Sequence, residues 1–424
     1  MNKVVMILAA VIVVAAAGVG AFTLLGGDGD EIEIPEVASG TGTVYGNSDG
    51  NCYIDDVDVA IAESIFKGER ELKDFPFADA NCDGVVDQTD IDLIKKMVNK
   101  EDMKVKVLDT QDQVITVQYP VKKPIILSGS NLAPLITILG VADIMKGAAY
   151  NTVDSVRDYA VAKGIEEGRI TKISVNGTAA DFDIISKMDV DVMLTEYSGM
   201  YDLDSDENIK KFHDLGIDVL CMECRDPGDD MRSLAVFGIL MDRGDEVQDY
   251  MDFCDQIYDE IKKVEGDKFG SQEVLISSLV GSLCGKGSGY TPMIDVAGGK
   301  NLGDWEGSTK KVEIGSTWVL DPKYSTDCLL LGAASNYGGN GFRESDVTGY
   351  EARYKDHNAW TNGDVYIYTT SIAVSIRIAY FAEAMYPELF GEDFAKNWHQ
   401  KFVDKYFDTE FTVNDSQFFY KLNA

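Results

Sequence analysis

DEVQDYMDFCDQIYDEIKKV, residues 245–264, is an amphipathic stretch in the middle of the chain. Its apolar side chains recur at helical spacing, at Val247, Met251, Cys254, Ile257, Ile261 and Val264. At 1.5 Å per residue, about 20 residues form a helix of roughly 30 Å. Arg243 and Gly244 separate it from a preceding apolar helical segment, DDMRSLAVFGILMD. We therefore predict one long helix over residues 244–266.

Short apolar strands alternate with helical stretches on both sides of this helix. Before it, the strand candidates are PIILSG (124–129), KISVNG (172–177), VDVMLTEY (190–197) and IDVLCME (217–223). After it, they are EVLISSLV (273–280), CLLLGAAS (328–335) and DVYIYT (364–369). Such alternation is typical of mostly parallel sheets that are covered on both faces. The sequence thus predicts an α/β fold with two Rossmann-like lobes, 106–243 and 267–424, and a ligand cleft outside the carboxyl ends of their strands.

The N-terminus predicts export from the cytoplasm. Val4–Leu25 carries no charge, and about 20 apolar residues suffice for a transmembrane helix. Lys3 precedes this run and acidic residues follow it, so the positive-inside rule puts the remainder outside the cytoplasm. We predict a signal anchor over 1–27, with a cleaved signal peptide as the open alternative. An acidic, Gly-rich linker is expected over 28–43, and the protein is expected at the outer face of the cytoplasmic membrane or the cell surface.

Two stretches have the spacing of a 12-residue calcium loop: NSDGNCYIDDVD (47–58, loop 1) and DANCDGVVDQTD (79–90, loop 2). Such a loop binds Ca²⁺ through oxygens at positions 1, 3, 5, 7, 9 and 12, position 7 using its backbone carbonyl. The predicted ligands are Asn47, Asp49, Asn51, Tyr53, Asp55 and Asp58 in loop 1, and Asp79, Asn81, Asp83, Val85, Asp87 and Asp90 in loop 2. A pair of Asp- and Asn-rich surface turns is the alternative interpretation. We expect two calcium ions and no redox or organic cofactor.

The doubled loop–helix layout over 44–102, with Asp at position 12, resembles a dockerin, the calcium-dependent module that binds cohesin domains. The resemblance implies a small all-α domain and leaves a cohesin-like partner open. Cys52 stands at position 6 of loop 1, where glycine is expected. Free thiols and a disulfide remain alternatives for the pair Cys52 and Cys82, and also for Cys221 and Cys224.

Motifs across 123–411 resemble the substrate-binding proteins of iron-siderophore and corrinoid ABC importers, the class with a rigid interlobe helix. They include ILSGSNLAPLITILGVADIMKGAAYN, NGTAADFDIISKMDVDVMLTEY, GGKNLGDWEG, WTNGDVYIY and YPELF. The resemblance implies an extracytoplasmic receptor that passes an iron-siderophore, haem-like or cobamide-type metal complex to an ABC permease and ATPase. A surface structural or adhesion protein that docks a cohesin-like partner is the alternative function.

The same resemblance implies ligand-binding residues at strand ends in both lobes. In lobe 1 they are Ser130, Asn131, Tyr150, Glu196, Tyr197 and Arg225, and in lobe 2 they are Tyr290, Trp318, Asn336, Tyr337, Tyr354, His357 and Trp360. Aromatic faces with a few arginines suit a large, partly apolar chelate. Residues 336–360 are the predicted lid. We expect His213 and His399 at the surface, and Arg377 on a solvated or ion-paired helix face.

Composition excludes some functions. The 72 acidic residues against 38 basic ones give a net charge of −34, which argues against binding nucleic acid. Three histidines far apart in sequence argue against a His-rich zinc site. The chain has no Walker loop and no HExxH motif. We therefore predict a binding protein rather than an enzyme.

Overall fold

The structure is a computed structural model, and it describes residues 22–25, 31–35, 37–127, 132–149, 160–176, 179–197, 203, 205–264, 269–335, 341–391, 393–407 and 410–423. The helices in these residues are α1 (Asp56–Phe66), α2 (Gln88–Val98), α3 (Leu132–Ile138), α4 (Ala160–Glu166), α5 (Phe182–Ile185), α6 (Asp206–Asp214), α7 (Pro227–Met241), α8 (Gly244–Lys262), α9 (Tyr290–Val296), α10 (Glu344–Tyr354), α11 (Asn358–Asn362), α12 (Val374–Met385), α13 (Pro387–Phe390), α14 (Phe394–Tyr406) and α15 (Asp415–Phe418).

The strands in these residues are β1 (Phe22–Leu25), β2 (Glu31–Ile34), β3 (Met103–Leu108), β4 (Val114–Tyr119), β5 (Ile125–Ile126), β6 (Gly147–Ala149), β7 (Thr171–Ile173), β8 (Val175–Asn176), β9 (Ala179–Ala180), β10 (Val192–Glu196), β11 (Asp218–Met222), β12 (Gln272–Ser277), β13 (Ser282–Cys284), β14 (Gly299–Asn301), β15 (Thr309–Lys311), β16 (Cys328–Ala333), β17 (Asp364–Thr369) and β18 (Phe419–Lys421). Each of the seven strands predicted in the two lobes overlaps one of these.

The sheet before the long helix is parallel and has the strand order β11-β10-β5-β6-β7. All five residues of β10 are buried, as a sheet covered on both faces requires. The strand order reverses between β5 and β10. In open α/β sheets, ligands bind at such a reversal, outside the carboxyl ends of the strands.

The second sheet has the order β14-β12-β16-β17-β18. Its pairs are parallel except the last, in which β18 runs antiparallel to β17. The six residues of β16 are all buried. Here the order reverses between β12 and β16, which places the second candidate ligand edge at the ends of these two strands. The predicted mixed α/β fold with parallel sheets is confirmed.

Helix α8 connects the two sheets and has 19 residues. The helix before it, α7, ends at Asp242, which is left-handed at φ 58° and turns the chain into α8. One face of α8 is buried, and the Tyr250 hydroxyl lies 2.9 Å from Ser375 Oγ at the start of α12. The predicted long helix is confirmed, although it ends at Lys262, and residues 265–268 lie outside the described part of the chain.

Both predicted loop–helix pairs are present. Helices α1 and α2 begin directly after Asp55 and Asp87, each of which accepts a hydrogen bond from a backbone amide of the first turn. The residues at position 12, Asp58 and Asp90, accept in return from the amides of Asp55 and Asp87, at 2.8 and 2.9 Å. These reciprocal bonds are capping boxes, which satisfy amides that a helix start leaves without partners.

The loop–helix unit packs directly on the rest of the chain. Val44 forms an antiparallel bridge with Val107 of β3. Cys52 Sγ lies 3.5 Å from Met251 Sδ of α8, and the Tyr53 hydroxyl donates to Asp245 at 3.2 Å. Loop 1 therefore contacts the first turns of the interlobe helix.

The sequence predicted a linker over residues 28–43. This prediction is wrong for the residues nearest loop 1, because they are hydrogen-bonded to that loop. The amides of Ser39 and Gly42 donate to the carbonyls of Asp49 and Gly50, at 2.7 and 2.8 Å. Ile34 is only 1% exposed and joins the core of the loop–helix unit. Gly-rich backbone can approach a neighbouring loop closely, and its amides pair there.

The described residues contain no helix that is both long and apolar enough to cross a membrane. Most of the predicted span, residues 4–21, lies outside the described part of the chain. Its last four residues form β1, which pairs with β2. The helical prediction is therefore wrong for Phe22–Leu25.

Two predictions about single side chains are corrected by burial. His399 is fully buried rather than at the surface, with Nδ1 3.1 Å from the Tyr380 hydroxyl. Burial lowers the pKa of His399 to about 3. Arg377 is 2% exposed, so of its two predicted settings the solvated one is wrong. His213 is exposed as predicted, and all seven cysteines are free thiols.

Gly244→Ala should lower the free energy of unfolding by about 1–2 kcal/mol, because overpacking of about 1–3 kcal/mol exceeds the helix-propensity gain of at most about 1 kcal/mol. An added methyl group would lie 2.6 Å from the Cys52 carbonyl oxygen and 2.5 Å from the Tyr53 ring. Urea unfolding measures the loss. Gln248→Ala, exposed on the same helix, is the control and should change stability by less than about 0.5 kcal/mol. A Gly244→Ala protein of unchanged stability would contradict the packing of loop 1 on α8.

Candidate functional site

A cleft of about 720 Å³ lies between the two lobes. One wall is the turn after β11, with Glu223, Arg225, Asp226 and Asp229. The other wall belongs to lobe 2 and includes the loops after β12, β16 and β17, the start of α9 and one end of α10. The residues that line this second wall are Ser278, Leu279, Val280, Gly287, Ser288, Gly289, Tyr290, Ser308, Thr309, Gly332, Ala333, Ala334, Arg343, Asp346 and Thr370. The cleft thus lies at the carboxyl ends of strands from both sheets, and its volume suits a drug-sized ligand.

The lobe 1 wall is fixed by the start of α7. Asp226 is the N-cap of this helix and accepts from the amides of Gly228 and Asp229, both at 2.9 Å. Pro227 occupies the first helical position, where its lack of an N–H has no cost. The strand-to-helix turn is therefore rigid and holds its charged side chains at the cleft.

The two lobes are in close contact at Gly289. A Cβ atom on Gly289 would lie 2.9 Å from the carbonyl carbon and oxygen of Arg225, and 3.0 Å from the Asp226 amide nitrogen. Gly289 has an ordinary φ of −59°, so the requirement for glycine here is one of size. This contact lies at the cleft, which Gly289, Arg225 and Asp226 all line.

The lobe 1 wall is electrostatically crowded. Arg225 lies 3.4 Å from Glu223 and 3.8 Å from Glu196, which is itself 3% exposed. Burial, with the negative charge of Glu196, raises the pKa of Glu223 to about 7, although Arg225 opposes the shift. Burial and the neighbouring Asp226 raise the pKa of Asp229 to about 8.

A buried acidic and a buried basic side chain lie near each other beside the cleft. Asp230 and Arg377 are 5% and 2% exposed and line the same small enclosed space. Burial raises the pKa of Asp230 to about 8, and the positive charge of Arg377 opposes the rise. Arg377 Nη1 donates to the Tyr290 hydroxyl at 3.3 Å. Because Tyr290 lines the cleft, this pair positions a ring of the candidate site.

The structure places several predicted ligand residues at or beside the cleft. Arg225 and Tyr290 line it. Glu196 lies beside Arg225. The carbonyl oxygen of Tyr197 is 3.5 Å from Arg225 Nη2, and its hydroxyl is hydrogen-bonded to Asp109. Five other predicted residues lie outside the described part of the chain: Ser130, Asn131, Tyr150, Asn336 and Tyr337.

Four predicted residues are elsewhere in lobe 2. Trp318, Tyr354, His357 and Trp360 are not among the residues that line the cleft. His357 Nε2 lies 2.8 Å from the Tyr324 carbonyl oxygen, and its Nδ1 accepts from Ala359 at 3.1 Å. His357 and Trp360 come just before β17, so they lie near the amino end of that strand, opposite the edge that faces the cleft.

The predicted lid is wrong for the part that forms a packed helix. Its residues from Glu344 to Tyr354 form α10, in which Tyr350 and Tyr354 are fully buried. Residues 336–340 lie outside the described part of the chain. The tyrosines at positions 350 and 354 have the four-residue spacing of a helix face, a signal that the sequence contained.

Asp226, Asp229, Gly289 and Arg343 were missed as cleft residues. The first two had a sequence signal, because acidic residues followed a predicted strand at the N-cap of an apolar helix. The other two depend on how distant segments pack together.

Loop 1 holds several buried side-chain oxygens at its predicted ligand positions. Asp58, 1% exposed, accepts from the amides of Asp49 and Asp55 at 3.2 and 2.8 Å. Asn47 Oδ1 is buried without a hydrogen-bond partner in the described chain. Burial raises the pKa of Asp49 to about 6 and raises that of Asp58 as well. A bound cation would neutralise these carboxylates and coordinate the Asn47 oxygen.

Loop 2 repeats the arrangement. Asp90, fully buried, accepts from the Asn81 and Asp87 amides at 3.1 and 2.9 Å. Asp79 accepts from Gly84, which has a φ of 95°. No cluster of three or more His, Cys, Asp and Glu side chains suited to a metal occurs among the described residues. The Asp side chains of loop 1 (Asp49, Asp55 and Asp58) and of loop 2 (Asp79, Asp83, Asp87 and Asp90) therefore do not form such a cluster in this structure.

The fold is that of the TroA-like periplasmic binding proteins, a mixed α/β architecture with parallel sheets. Among solved structures similar to this chain is a TroA-like periplasmic binding protein, FepB from Veillonella parvula, with a TM-score of 0.55 and 14% identity over 74% of this chain and 99% of the other. MolA from Haemophilus influenzae, bound to molybdate, has a TM-score of 0.54 and 12% identity, over 73% of this chain and 99% of the other. CeuE from Helicobacter pylori, in a Ni-His complex, has a TM-score of 0.53 and 14% identity, over 74% of this chain and 98% of the other.

No protein-family model and no curated protein sequence matches the chain. At identities this low, the structural similarity establishes the fold.

Arg377→Met should lower the free energy of unfolding. This loss should be at least about 1 kcal/mol larger at pH 9 than at pH 6, because a pKa difference of one unit corresponds to about 1.4 kcal/mol. The folded-state pKa of Asp230 is raised to about 8, so the folded protein loses stability as pH rises from 4 towards 8. Without Arg377 the pKa of Asp230 rises further, so the folded variant continues to lose stability at pH values above 8, where the unaltered protein no longer does. Urea unfolding at the two pH values measures the difference. Asp230→Asn in the same background should abolish it; equal losses at both pH values would contradict the pairing.

Proposed function

We propose that this protein is an extracytoplasmic substrate-binding receptor of an ABC importer, and that its ligand is a metal chelate of the iron-siderophore, haem or cobamide kind. The observation that carries the proposal is the cleft of about 720 Å³ at the carboxyl edges of both sheets. A ligand there would touch both lobes at once. Binding would then draw the lobes together by a small amount, because the connection between them is a helix rather than a flexible strand.

The fold supports this proposal. MolA was solved bound to molybdate and CeuE in a complex with nickel and histidine, so two proteins of this fold have been found with metal-containing ligands. The proposed partners are a membrane permease and its ATPase. We propose a location outside the cytoplasmic membrane, with the apolar N-terminal run as anchor or cleaved signal. No enzymatic step is part of the proposal.

Gly289→Ala should weaken chelate binding about tenfold, equivalent to about 1.4 kcal/mol. The added methyl group meets the lobe 1 backbone at 2.9 Å and holds the lobes apart. Isothermal titration calorimetry with a panel of iron(III) siderophores and cobamides gives the dissociation constants.

Gly287→Ala is the matched control for this experiment. Its methyl group would also stand in the cleft wall, but it would meet Gly307 of the same lobe at 3.2 Å. We expect a change in affinity of less than threefold. Failure of the unaltered protein to bind any member of the panel would contradict the receptor proposal. Binding that Gly289→Ala leaves unchanged would place the ligand outside the cleft.

We also propose that each loop binds one calcium ion with a structural role. The supporting observations are the repeated capping geometry and the buried oxygens of Asn47, Asp58 and Asp90. Calcium loops of extracellular proteins have dissociation constants of about 10⁻⁴–10⁻³ M, and such weak binding suffices where calcium is plentiful. Because loop 1 packs on α8, calcium would stabilise the receptor itself. A cohesin-like partner is not needed to explain this unit.

Calcium at a hundredfold excess over its dissociation constant should stabilise the protein by about 2.7 kcal/mol per site. Differential scanning calorimetry with calcium and then with EGTA measures the shift in melting temperature. Asp58→Asn with Asp90→Asn should abolish most of it, since each removes a buried carboxylate at position 12. Asp92→Asn, with the same change of charge at an exposed position of α2, should leave it intact. A melting temperature indifferent to calcium would contradict both sites.

A further inference from the structure

The two walls of the interlobe cleft differ in charge. On lobe 1, Glu196 and Glu223 lie 3.8 and 3.4 Å from the Arg225 guanidinium, and Asp226 and Asp229 line the same wall. Arg225, together with Arg232 beside Asp229, can neutralise only two of these four carboxylates. Three of these carboxylates line the cavity directly, and Glu196 lies beside Arg225.

The lobe 2 wall has no such excess among its described residues. Most of its side chains are small or hydroxyl-bearing, and Arg343 is its cation. Both Arg343 Nε and Nη2 contact the Asp346 carboxylate, at 2.9 and 3.1 Å. This bidentate pair cancels its own charge, so lobe 2 does not offset the negative charge of lobe 1.

The lobe 1 carboxylates are not an ordinary solvated surface. The Glu196 side chain is 2% exposed and that of Glu223 is 25% exposed. Charges in such a setting are screened less than charges in water. A ligand that brings positive charge would relieve their mutual repulsion, whereas an anionic ligand would add to it. The chain's net charge of −34 acts in the same direction, attracting cations before contact.

We infer that the cleft selects a ligand that presents positive charge to the lobe 1 wall, such as an iron(III) chelate carrying a protonated amine. This inference rests on the proposed receptor function and narrows its ligand class. The small, neutral lobe 2 wall would contact the uncharged part of the same ligand.

Binding of a cationic ligand should strengthen as pH rises from 6 to 8. Glu223, whose pKa is about 7, faces Arg225, Glu196 and Asp226. Asp229, whose pKa is about 8, faces Asp226, Glu223 and Arg232. The pair Arg343 and Asp346 lies on the lobe 2 wall of the same cleft. A cation favours the deprotonated forms of Glu223 and Asp229, so its binding releases protons, and raising the pH removes the cost of that release.

The test uses three forms of one linear iron(III) trishydroxamate: with a free terminal amine (net charge +1), with this amine acetylated (0), and with it succinylated (−1). Spermidine is the metal-free cationic probe. Calorimetry at pH 8 should give the cationic chelate at least tenfold tighter binding than the anionic one, with the neutral form between them. At pH 6 this ratio should shrink at least threefold.

Two charge variants separate the local effect from the overall charge. Glu223→Gln with Asp229→Asn should reduce the preference for the cationic chelate to less than threefold. Glu166→Gln with Glu167→Gln changes the net charge equally, at exposed positions just before β7 and so near the amino edge of the lobe 1 sheet. This control should retain the full preference. A control that loses the preference as well would overturn the assignment to the cleft.

The outcomes distinguish this inference from the receptor function. Equal binding of the three chelates, or tighter binding of the anionic form, would overturn the charge selectivity and leave the receptor function standing. Binding of spermidine without any chelate would support the selectivity and contradict the metal-chelate proposal. If neither the chelates nor spermidine binds, both are overturned.

Discussion

The packing of α8 against both lobes is the interaction on which the arrangement of this molecule depends. Its buried face runs from Val247 to Ile261 within a core that also includes side chains of both sheets. Phe253 contacts Trp398 of α14 at a ring-centroid distance of 5.4 Å, which ties the helix to lobe 2. Full burial of each large apolar side chain contributes about 1.5–3 kcal/mol. Large lobe rotations would expose this face, so only small closure motions are compatible with it.

A fixed distance between the lobes makes the cleft a defined site. The turn after β11 and the start of α9 meet at Gly289, where no side chain fits. The volume beside this contact is enclosed by loops that both sheets hold at their carboxyl edges. The charged wall then follows from one rigid turn, the N-cap of α7. Loop 1 packs on the first turns of α8, the helix that joins the two lobes.

Local patterns in the sequence predicted the elements well, and long-range packing limited the rest. The periodicity of residues 245–264 was enough to predict α8, and the acidic loop spacing predicted α1 and α2. Trp360 and His357 were assigned to the cleft from the family resemblance, although their position just before a parallel strand already indicated the opposite edge. His399 has polar neighbours in sequence, but its face of α14 turns towards Tyr380. Gly289 could not be predicted, because its role exists only where two distant segments meet.

Hydrogen–deuterium exchange of the full chain, with and without a bound iron(III) chelate, tests the central claim most directly. If one ligand bridges the lobes, exchange should slow together in residues 223–229 and 278–290, two segments from opposite walls of the cleft. Exchange in α1 should remain unchanged. Protection confined to one lobe, or found only in the loop–helix unit, would contradict the account.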